Sequence, residues 1–147
     1  MPEQGIARYK YIFNEMLRMT DDGFIVVDKD GIVTDVNDQY CDFLGKPREE
    51  IVGFSILKTI SNSKMVDIVK RRYSEELALH KFMPGDTKEH DNNFVLVSRS
   101  CVCDDQDQAV AGVAQVKFRL QTLDSAKRLM SRSEERRVGK ECRSRWS

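Results

Sequence analysis

Apolar and polar positions near the start of the chain are arranged in a way that predicts a β-hairpin. Residues 23–27 form an apolar run rich in β-branched side chains, and residues 32–36 alternate between apolar and polar side chains. The four residues between them, 28–31, are polar and end in Gly31, which suits a turn position with a positive φ angle. Both flanking runs therefore predict strands.

Two short helices are predicted directly after this hairpin. The side chain of Asn37 can accept hydrogen bonds from the first free N–H groups of a helix over residues 38–44, and Gly45 can end that helix in a left-handed conformation. Pro47 suits the first position of the second short helix. Structural roles are accordingly expected for Gly31, Asn37, Gly45 and Gly53.

Helical spacing of apolar residues predicts two further helices, over residues 6–19 and 64–73, with a short apolar turn at 54–60 before the second. Three more strands are expected at residues 77–82, 94–103 and 110–119. Five strands, with helices inserted between the second and third, predict an α+β fold. The expected arrangement is an antiparallel sheet with one face covered by helices.

The order of these parts resembles a PAS domain. The resemblance is carried by GFIVVDKDGIVTDVNDQYCDFLG followed by REEIVG, and it covers residues 5–120. Within that superfamily, ILKTISNSKMVDIV and GVAQVKFRLQTLDSAKRLM are most similar to the sensory domain found upstream of the ATPase in sigma-54-dependent transcriptional activators. The resemblance implies a PAS fold flanked by N- and C-terminal helices.

The resemblance also implies how the chain is divided and what it contacts. An N-terminal helix over residues 1–20 precedes the domain at 21–119, and such flanking helices often form homodimer contacts in PAS proteins. A helix over 120–131 follows. It either simply ends the domain or acts as a signalling linker, and the resemblance favours the linker, with Leu123, Ala126 and Met130 near heptad spacing. DNA and sigma-54 RNA polymerase would be reached only through domains further downstream.

The composition changes abruptly at residue 132. The stretch RSEERRVGKECRSRWS, residues 132–147, has six basic and three acidic residues, and without it the formal charge of zero becomes −3. It resembles the translation of a sequencing-adapter oligonucleotide, so it is set apart as a non-native tail. The natural chain is then expected to continue past Ser131 as a longer regulator. The alternative is a basic arm that touches nucleic acid.

Cysteine usage and hydropathy indicate a cytoplasmic protein. Three of the four cysteines lie outside the tail, and three scattered thiols do not form a disulfide framework. No apolar run approaches the roughly 18 residues of a membrane span. The first ten residues, MPEQGIARYK, contain no apolar signal core.

Candidate metal and cofactor ligands are few. A zinc site of Cys101 and Cys103 with Cys41, His80 or His90 can be drawn, but the spacing favours small buried side chains. His80 on a strand could face an acidic ligand or haem iron, although an edge-strand histidine is the more common role. A flavin-linking role for Cys41 is disfavoured because no NCRFLQ-like motif follows. We expect no metal and no cofactor.

No catalytic motif of the GxSxG, HExxH or GxxxxGK[ST] type occurs in the sequence. An enzyme of the small α+β class would need a perturbed acid or base in a cavity, and only His80 and Tyr40 are candidates. The domain itself is therefore expected to have no enzymatic activity.

The space between helices and sheet is the expected ligand pocket. The alternative is that its residues only fill a core. The candidate lining residues are Tyr40, Phe43, Ile56, Met65, Ile68, Leu79, His80, Leu96, Ser98 and Val116. The expected function is a sensory domain that binds a small ligand or a partner and signals through its C-terminal helix. The alternatives are the PAS module of a sensor histidine kinase or cyclic-dinucleotide enzyme, and a haem or flavin sensor.

Overall fold

The computed structural model describes residues 3–88 and 94–118. A 3-10 turn at Arg48–Glu50 lies between the second and third helices. The helices are α1 (Glu3–Met19), α2 (Asp38–Leu44), α3 (Ile56–Thr59) and α4 (Met65–Arg71). The strands are β1 (Gly23–Asp28), β2 (Val33–Val36), β3 (Ser74–Lys81), β4 (Phe94–Cys103) and β5 (Ala109–Lys117).

The five strands form one antiparallel sheet in the order β2-β1-β5-β4-β3. The chain makes the β1–β2 hairpin at one edge, crosses the sheet through α2, α3 and α4, and returns as the β3–β4–β5 meander. The last strand pairs with the first, with Gly23 opposite Val116. This confirms the predicted α+β fold with helices inserted between the second and third strands.

The hairpin turn is stabilised by one carboxylate and one glycine. Asp28 Oδ1 accepts hydrogen bonds from the backbone N–H groups of Asp30 at 2.8 Å and Ile32 at 3.0 Å. Gly31 has a φ angle of +82°, which a side chain would disfavour. The predicted turn is therefore formed by the residues that the sequence indicated.

Helix α2 begins and ends as predicted. Asn37 Oδ1 accepts from the N–H group of Tyr40 at 3.3 Å, and Gly45 ends the helix in the left-handed conformation with a φ angle of +71°. The second short helix differs slightly from the prediction, because Pro47 is the residue before the 3-10 turn rather than its first residue.

The segment between α2 and β4 departs most from the prediction. Residues 54–60 include the helical turn α3, which Ser55 caps by accepting from the N–H group of Leu57. Helix α4 stops at Arg71, because Arg72 reverses the chain with a φ angle of +57°. Strand β3 consequently starts at Ser74 rather than near residue 77, and it contains a bulge at Leu77, whose φ angle is +50°.

The core lies between the helices and one face of the sheet. Inward-facing residues of the strands pack against helical residues, and a Cβ atom added to Gly112 on β5 would lie 2.8 Å from Val69 of α4. That glycine lets α4 approach the sheet closely. The largest fully buried side chains include Ile25, Val27, Ile51, Ile56, Met65, Phe82, Val95 and Val116.

Among the described residues, the buried side chain and the hydrogen bonds that attach helix α1 to the domain lie at its C-terminal end. Leu17 is buried, whereas most of the other apolar side chains of the helix are exposed. Asn37 Nδ2 donates to the carbonyl oxygens of Leu17 at 3.0 Å and Asp22 at 2.9 Å, and its Oδ1 accepts from Phe24 N–H at 2.9 Å. One buried amide therefore joins α1, β1 and α2.

Several predicted features lie outside the described residues. They are the linker residues Leu123, Ala126 and Met130, the tail at 132–147, and His90. None of the helices within residues 3–88 and 94–118 has the length and hydropathy needed to cross a bilayer.

Candidate functional site

A small cavity lies in the core between the sheet and the helices. Its volume is about 20 Å³, which is enough for one water molecule or a group of similar size. Among the described residues, its lining is apolar except for four side chains, Tyr40, Ser63, His80 and Arg99. These polar groups come from α2, from the loop before α4, from β3 and from β4, so the whole fold is needed to assemble them.

His80 is buried and its imidazole ring is neutral. Its Nδ1 atom lies 3.1 Å from Arg99 Nη2. A guanidinium group can only donate hydrogen bonds, so Nδ1 must accept, and the proton of the neutral ring must then lie on Nε2. Burial, and after it the positive charges of Arg99 and Lys64, lower the pKa of His80 to about 4, while Asp86 acts in the opposite direction.

The Nε2 atom of His80 has no hydrogen-bond partner among the described residues, although it is shielded from solvent. An unpaired buried donor costs free energy, so the position favours a molecule that can accept a hydrogen bond there. Among the described side chains that line the cavity, His80 therefore has a buried nitrogen whose hydrogen-bonding capacity is left open.

Arg99 carries a buried charge that the protein itself neutralises. Its side chain is 5% exposed, and its Nη1 atom donates to Glu75 Oε2 at 2.8 Å, while the Glu75 side chain is 20% exposed. The two residues lie opposite each other on β4 and β3. Because the charges are paired, the cavity presents a polar but electrically balanced wall.

Tyr40 closes the cavity from the helical side. The residue is 3% exposed, and burial raises the pKa of its hydroxyl group well above the usual value, with the charge of Arg99 acting in the opposite direction. The hydroxyl group therefore remains protonated at neutral pH. The Tyr40 ring also contacts Phe118 edge-on, with ring centroids 5.5 Å apart.

A series of aromatic contacts connects the cavity with the end of β5. The ring of His80 meets Phe82 with centroids 4.7 Å apart, and Phe82 meets Phe43 at 5.1 Å. Phe43 in turn stacks on Phe118 at 4.6 Å. Phe118 directly follows β5 and is the last residue that the structure describes. We call these four residues the aromatic series.

Five of the ten predicted pocket residues border this cavity. They are Tyr40, Ile56, Met65, His80 and Val116. Phe43 packs beside it in the aromatic series, and Ile68 lies in a separate cluster with Cys101.

Leu79, Leu96 and Ser98 were also predicted at the pocket, and the structure does not bring them there. His80 pairs with Val95, and both border the cavity, so their neighbours Leu79 and Leu96 must point to the opposite face of the sheet. Ser98, two residues after Leu96, shares that face and accepts a hydrogen bond from the N–H group of Leu77. The bulge at Leu77 changes the alternation of β3, so the residues before it do not show which residues after it face the cavity.

Of the cavity residues that the sequence prediction missed, Arg99 is the charged one within the described lining. Strand alternation was the available signal, because Val95, Val97 and Arg99 are two residues apart and share one face of β4. Arg99 is also the side-chain hydrogen-bond partner of His80. A basic residue in phase with two buried valines indicates a buried charge.

Two of the cysteines are placed as small buried groups, and Cys103 is only partly buried. Cys41 and Cys101 are buried, and burial raises the pKa of both thiols. The Sγ atoms of Cys101 and Cys103 lie 4.0 Å apart, so the two side chains share a face as expected. In the described ranges, no group of three or more histidine, cysteine or acidic side chains could hold a metal ion.

The cavity is too small for the larger cofactors of sensory domains. Sites for drug-sized ligands have volumes of about 300–1,000 Å³, so a space of about 20 Å³ does not fit a flavin or a haem.

The structure is an α+β domain. Its candidate site is a small cavity between the sheet and a layer of short helices. Residues 11–81 match the family model described as PAS fold. Over these residues the chain is similar to PAS domains, and its five-stranded antiparallel sheet with inserted helices is consistent with the PAS fold. A comparison with curated proteins gave no match.

Solved structures show the same fold at low sequence identity. The E. coli DhaR(N)–DhaL complex aligns with a TM-score of 0.60 and 16% identity, over 77% of this chain and 37% of that chain. The PAS domain of an HTR-like protein from Haloarcula marismortui aligns with a TM-score of 0.54 and 17% identity, over 78% and 95%. The LOV protein of Rhodobacter sphaeroides gives 0.58 and 11%, over 89% and 99%. This chain thus spans little more than a third of the first of these chains.

Proposed function

We propose that this PAS domain senses the occupancy of its cavity and passes the change to the rest of the chain through the segment that follows Phe118. The observation that carries this proposal is the aromatic series, which runs from His80 in the cavity wall to Phe118 at the end of β5. A ligand shifts the equilibrium between two arrangements only by its difference in affinity for them.

Close packing supports the coupling. Rings in van der Waals contact cannot move independently, because protein interiors have few voids. Phe82 is 1% exposed and borders the cavity, so a molecule that enters must either fit beside its ring or displace it. A displaced Phe82 would press on Phe43, and Phe43 on Phe118. The proposed output path then continues through the helix that the sequence predicts at 120–131, with Leu123, Ala126 and Met130.

The coupling can be tested with xenon, which enters small apolar cavities without specific contacts. We expect xenon pressure to shift the NMR signals of the Phe118 ring and amide in the wild-type chain. The Phe43→Leu variant should reduce this shift to what passes through the direct contact between Tyr40 and Phe118. Phe54→Leu, at an exposed site outside the aromatic series, should keep the full shift. An unchanged Phe118 response in Phe43→Leu would exclude the aromatic series as the coupling path.

For the whole protein, we propose a cytoplasmic sigma-54-dependent transcriptional regulator. The support is the sequence resemblance of ILKTISNSKMVDIV and of GVAQVKFRLQTLDSAKRLM, residues 112–130, to such activators. Long-read sequencing of the source locus across the codons for Ser131 and Arg132 tests this proposal. A frame that continues into a GxxxxGK[ST] loop and a helix-turn-helix supports it, and a kinase or cyclic-dinucleotide enzyme in that place would replace it.

We also propose that α1 mediates homodimerisation. Ile6, Tyr9, Phe13 and Met16 follow the three-four spacing of a coiled-coil seam. Three of the four are 60–65% exposed, and Phe13 is 37% exposed. A second copy of α1 would cover this seam.

A further inference from the structure

We infer that the cavity takes a small uncharged molecule with one hydrogen-bond acceptor, such as a carbonyl or ether oxygen, which binds the N–H group of His80 Nε2. This inference rests on the proposed function, because it names the chemical class of ligand for the same cavity. It follows from the protonation state of His80, the charge balance around Arg99 and the shape of the cavity.

The protonation state of His80 decides whether the ligand must donate or accept a hydrogen bond at Nε2. Arg99 donates to Nδ1, so the ring offers a donor, and not a lone pair, at Nε2. This nitrogen is buried and without a partner among the described residues, in a side chain that is 6% exposed. A ligand that only donates hydrogen bonds would leave the Nε2–H group unpaired, whereas an acceptor satisfies it.

The charge balance excludes ions. An anionic ligand would meet an arginine that Glu75 already neutralises at 2.8 Å, and would add an uncompensated negative charge to a buried site. A cationic ligand would find no carboxylate among the described residues that line the cavity. Both kinds of ion would lose their hydration without gaining a counter-charge.

The cavity limits the size and shape of the remainder of the ligand. Apart from the four polar side chains, the described lining is aliphatic or aromatic, so the body of the ligand must be apolar. A volume of about 20 Å³ admits very few heavy atoms. Met65 is the flexible lining residue that can move to admit a slightly larger molecule.

Three probes of the same Y shape separate these requirements. Each has four heavy atoms and is larger than a water molecule, so Met65 must move to admit it. Acetone is uncharged and has an acceptor, isobutene replaces the oxygen by a methylene group, and acetate carries a negative charge. Each would be titrated into the full chain labelled with ¹⁵N-histidine and ¹⁵N-phenylalanine, and the Nε2 signal of His80 and the amide signal of Phe118 would be followed by NMR. We expect acetone to bind about tenfold more tightly than isobutene, because only acetone pairs the buried donor. Acetate should not bind detectably.

Two variants of His80 test the role of the donor. His80→Asn places an acceptor for Arg99 near the Nδ1 position but removes the Nε2–H group, so the preference for acetone over isobutene should disappear. His80→Gln can place an amide N–H near the Nε2 position and should keep part of that preference. The comparison of the three probes on the wild-type chain stands by itself if a variant does not fold.

The possible failures are distinguishable. If isobutene binds as tightly as acetone, or acetate binds more tightly, the ligand class is wrong, and a shift of Phe118 with either probe would still support the sensor. If probes or xenon enter the cavity and Phe118 does not respond, the proposed function fails whatever the ligand class. A water molecule that contacts Nε2–H in nuclear Overhauser spectra and that none of the probes displaces would overturn the inference.

Discussion

Arg99 Nη2 donates to His80 Nδ1 across 3.1 Å, between two side chains that are each at most 6% exposed. A protonated imidazole could not accept this hydrogen bond, and it would place a second positive charge beside the guanidinium group. The folded domain is therefore built around a neutral histidine.

Acidification should consequently destabilise the domain through His80. Burial and the nearby charges of Arg99 and Lys64 lower its pKa from 6.5 to about 4, with Asp86 opposing, so the unfolded chain binds the proton first. The stabilisation is complete above pH 6.5 and is lost as the pH falls through 4. From a shift of this size we expect a loss of roughly 3 kcal/mol in the free energy of unfolding.

Urea unfolding at several pH values between 7 and 4 measures this effect. The His80→Asn variant keeps an acceptor for Arg99 and has no titrating group there, so its stability should fall less steeply with pH than that of the wild type. The carboxylates contribute to both proteins alike. Parallel curves for the two proteins would show that His80 does not titrate as proposed.

Removing the negative partner of Arg99 should be costly. Glu75→Gln leaves a buried guanidinium charge without its counter-charge, and we expect a loss of about 3 kcal/mol in the free energy of unfolding. Glu76→Gln, the same change at the exposed neighbouring residue, should cost at most about 1 kcal/mol. In an Arg99→Met background the Glu75→Gln change should cost little, and an equal loss in both backgrounds would contradict a role for the ion pair.

A single methyl group at Gly23 should displace Phe118. A Cβ atom built on Gly23 overlaps the Phe118 ring and lies 3.1 Å from Cδ2 of Tyr40. We expect Gly23→Ala to cost about 1–3 kcal/mol in stability and to shift the NMR signals of the Phe118 ring.

The control is the Gly23→Ala substitution in a chain that lacks the Phe118 ring. In a Phe118→Ala background, Gly23→Ala should cost much less, because the methyl group then occupies vacated space. Equal costs in the two backgrounds would mean that β1 itself, and not Phe118, resists the added methyl group.

The proposed dimer seam on α1 can be tested with a matched pair of tyrosines. Tyr9 lies on the seam, and Tyr11 lies about 200° further round the helix. Tyr9→Glu should shift sedimentation from dimer to monomer, whereas Tyr11→Glu, at a side chain that is 73% exposed, should leave the dimer intact. A monomeric wild type, or equal dissociation by both variants, would remove α1 as the dimer contact.

The sequence predicted the parts of this domain that local chemistry determines. The hairpin turn needs only Asp28 and Gly31, and helix α2 needs only Asn37 and Gly45, all within a few residues of the backbone groups that they satisfy. Such signals are visible in a short window of sequence.

The faces of β3 and β4 could not be assigned by the same means. Leu79 and His80 were both predicted at the pocket, although adjacent residues of a strand point to opposite faces, and the bulge at Leu77 prevents alternation from the start of β3 from deciding between them. Arg99 was missed because its charge suggested exposure, and its partner Glu75 lies 24 residues earlier in the chain. Long-range pairing of this kind is a property of the tertiary structure.

The close approach of Gly23 and Phe118 limits how the domain can be connected to other domains of a larger protein. The chain enters the sheet at Gly23 and leaves it after β5, and the two points touch. Whatever precedes β1 and whatever follows Phe118 therefore emanate from one spot on the domain. A rotation of the Phe118 ring therefore changes the relative orientation of the segment that enters β1 and the segment that leaves β5.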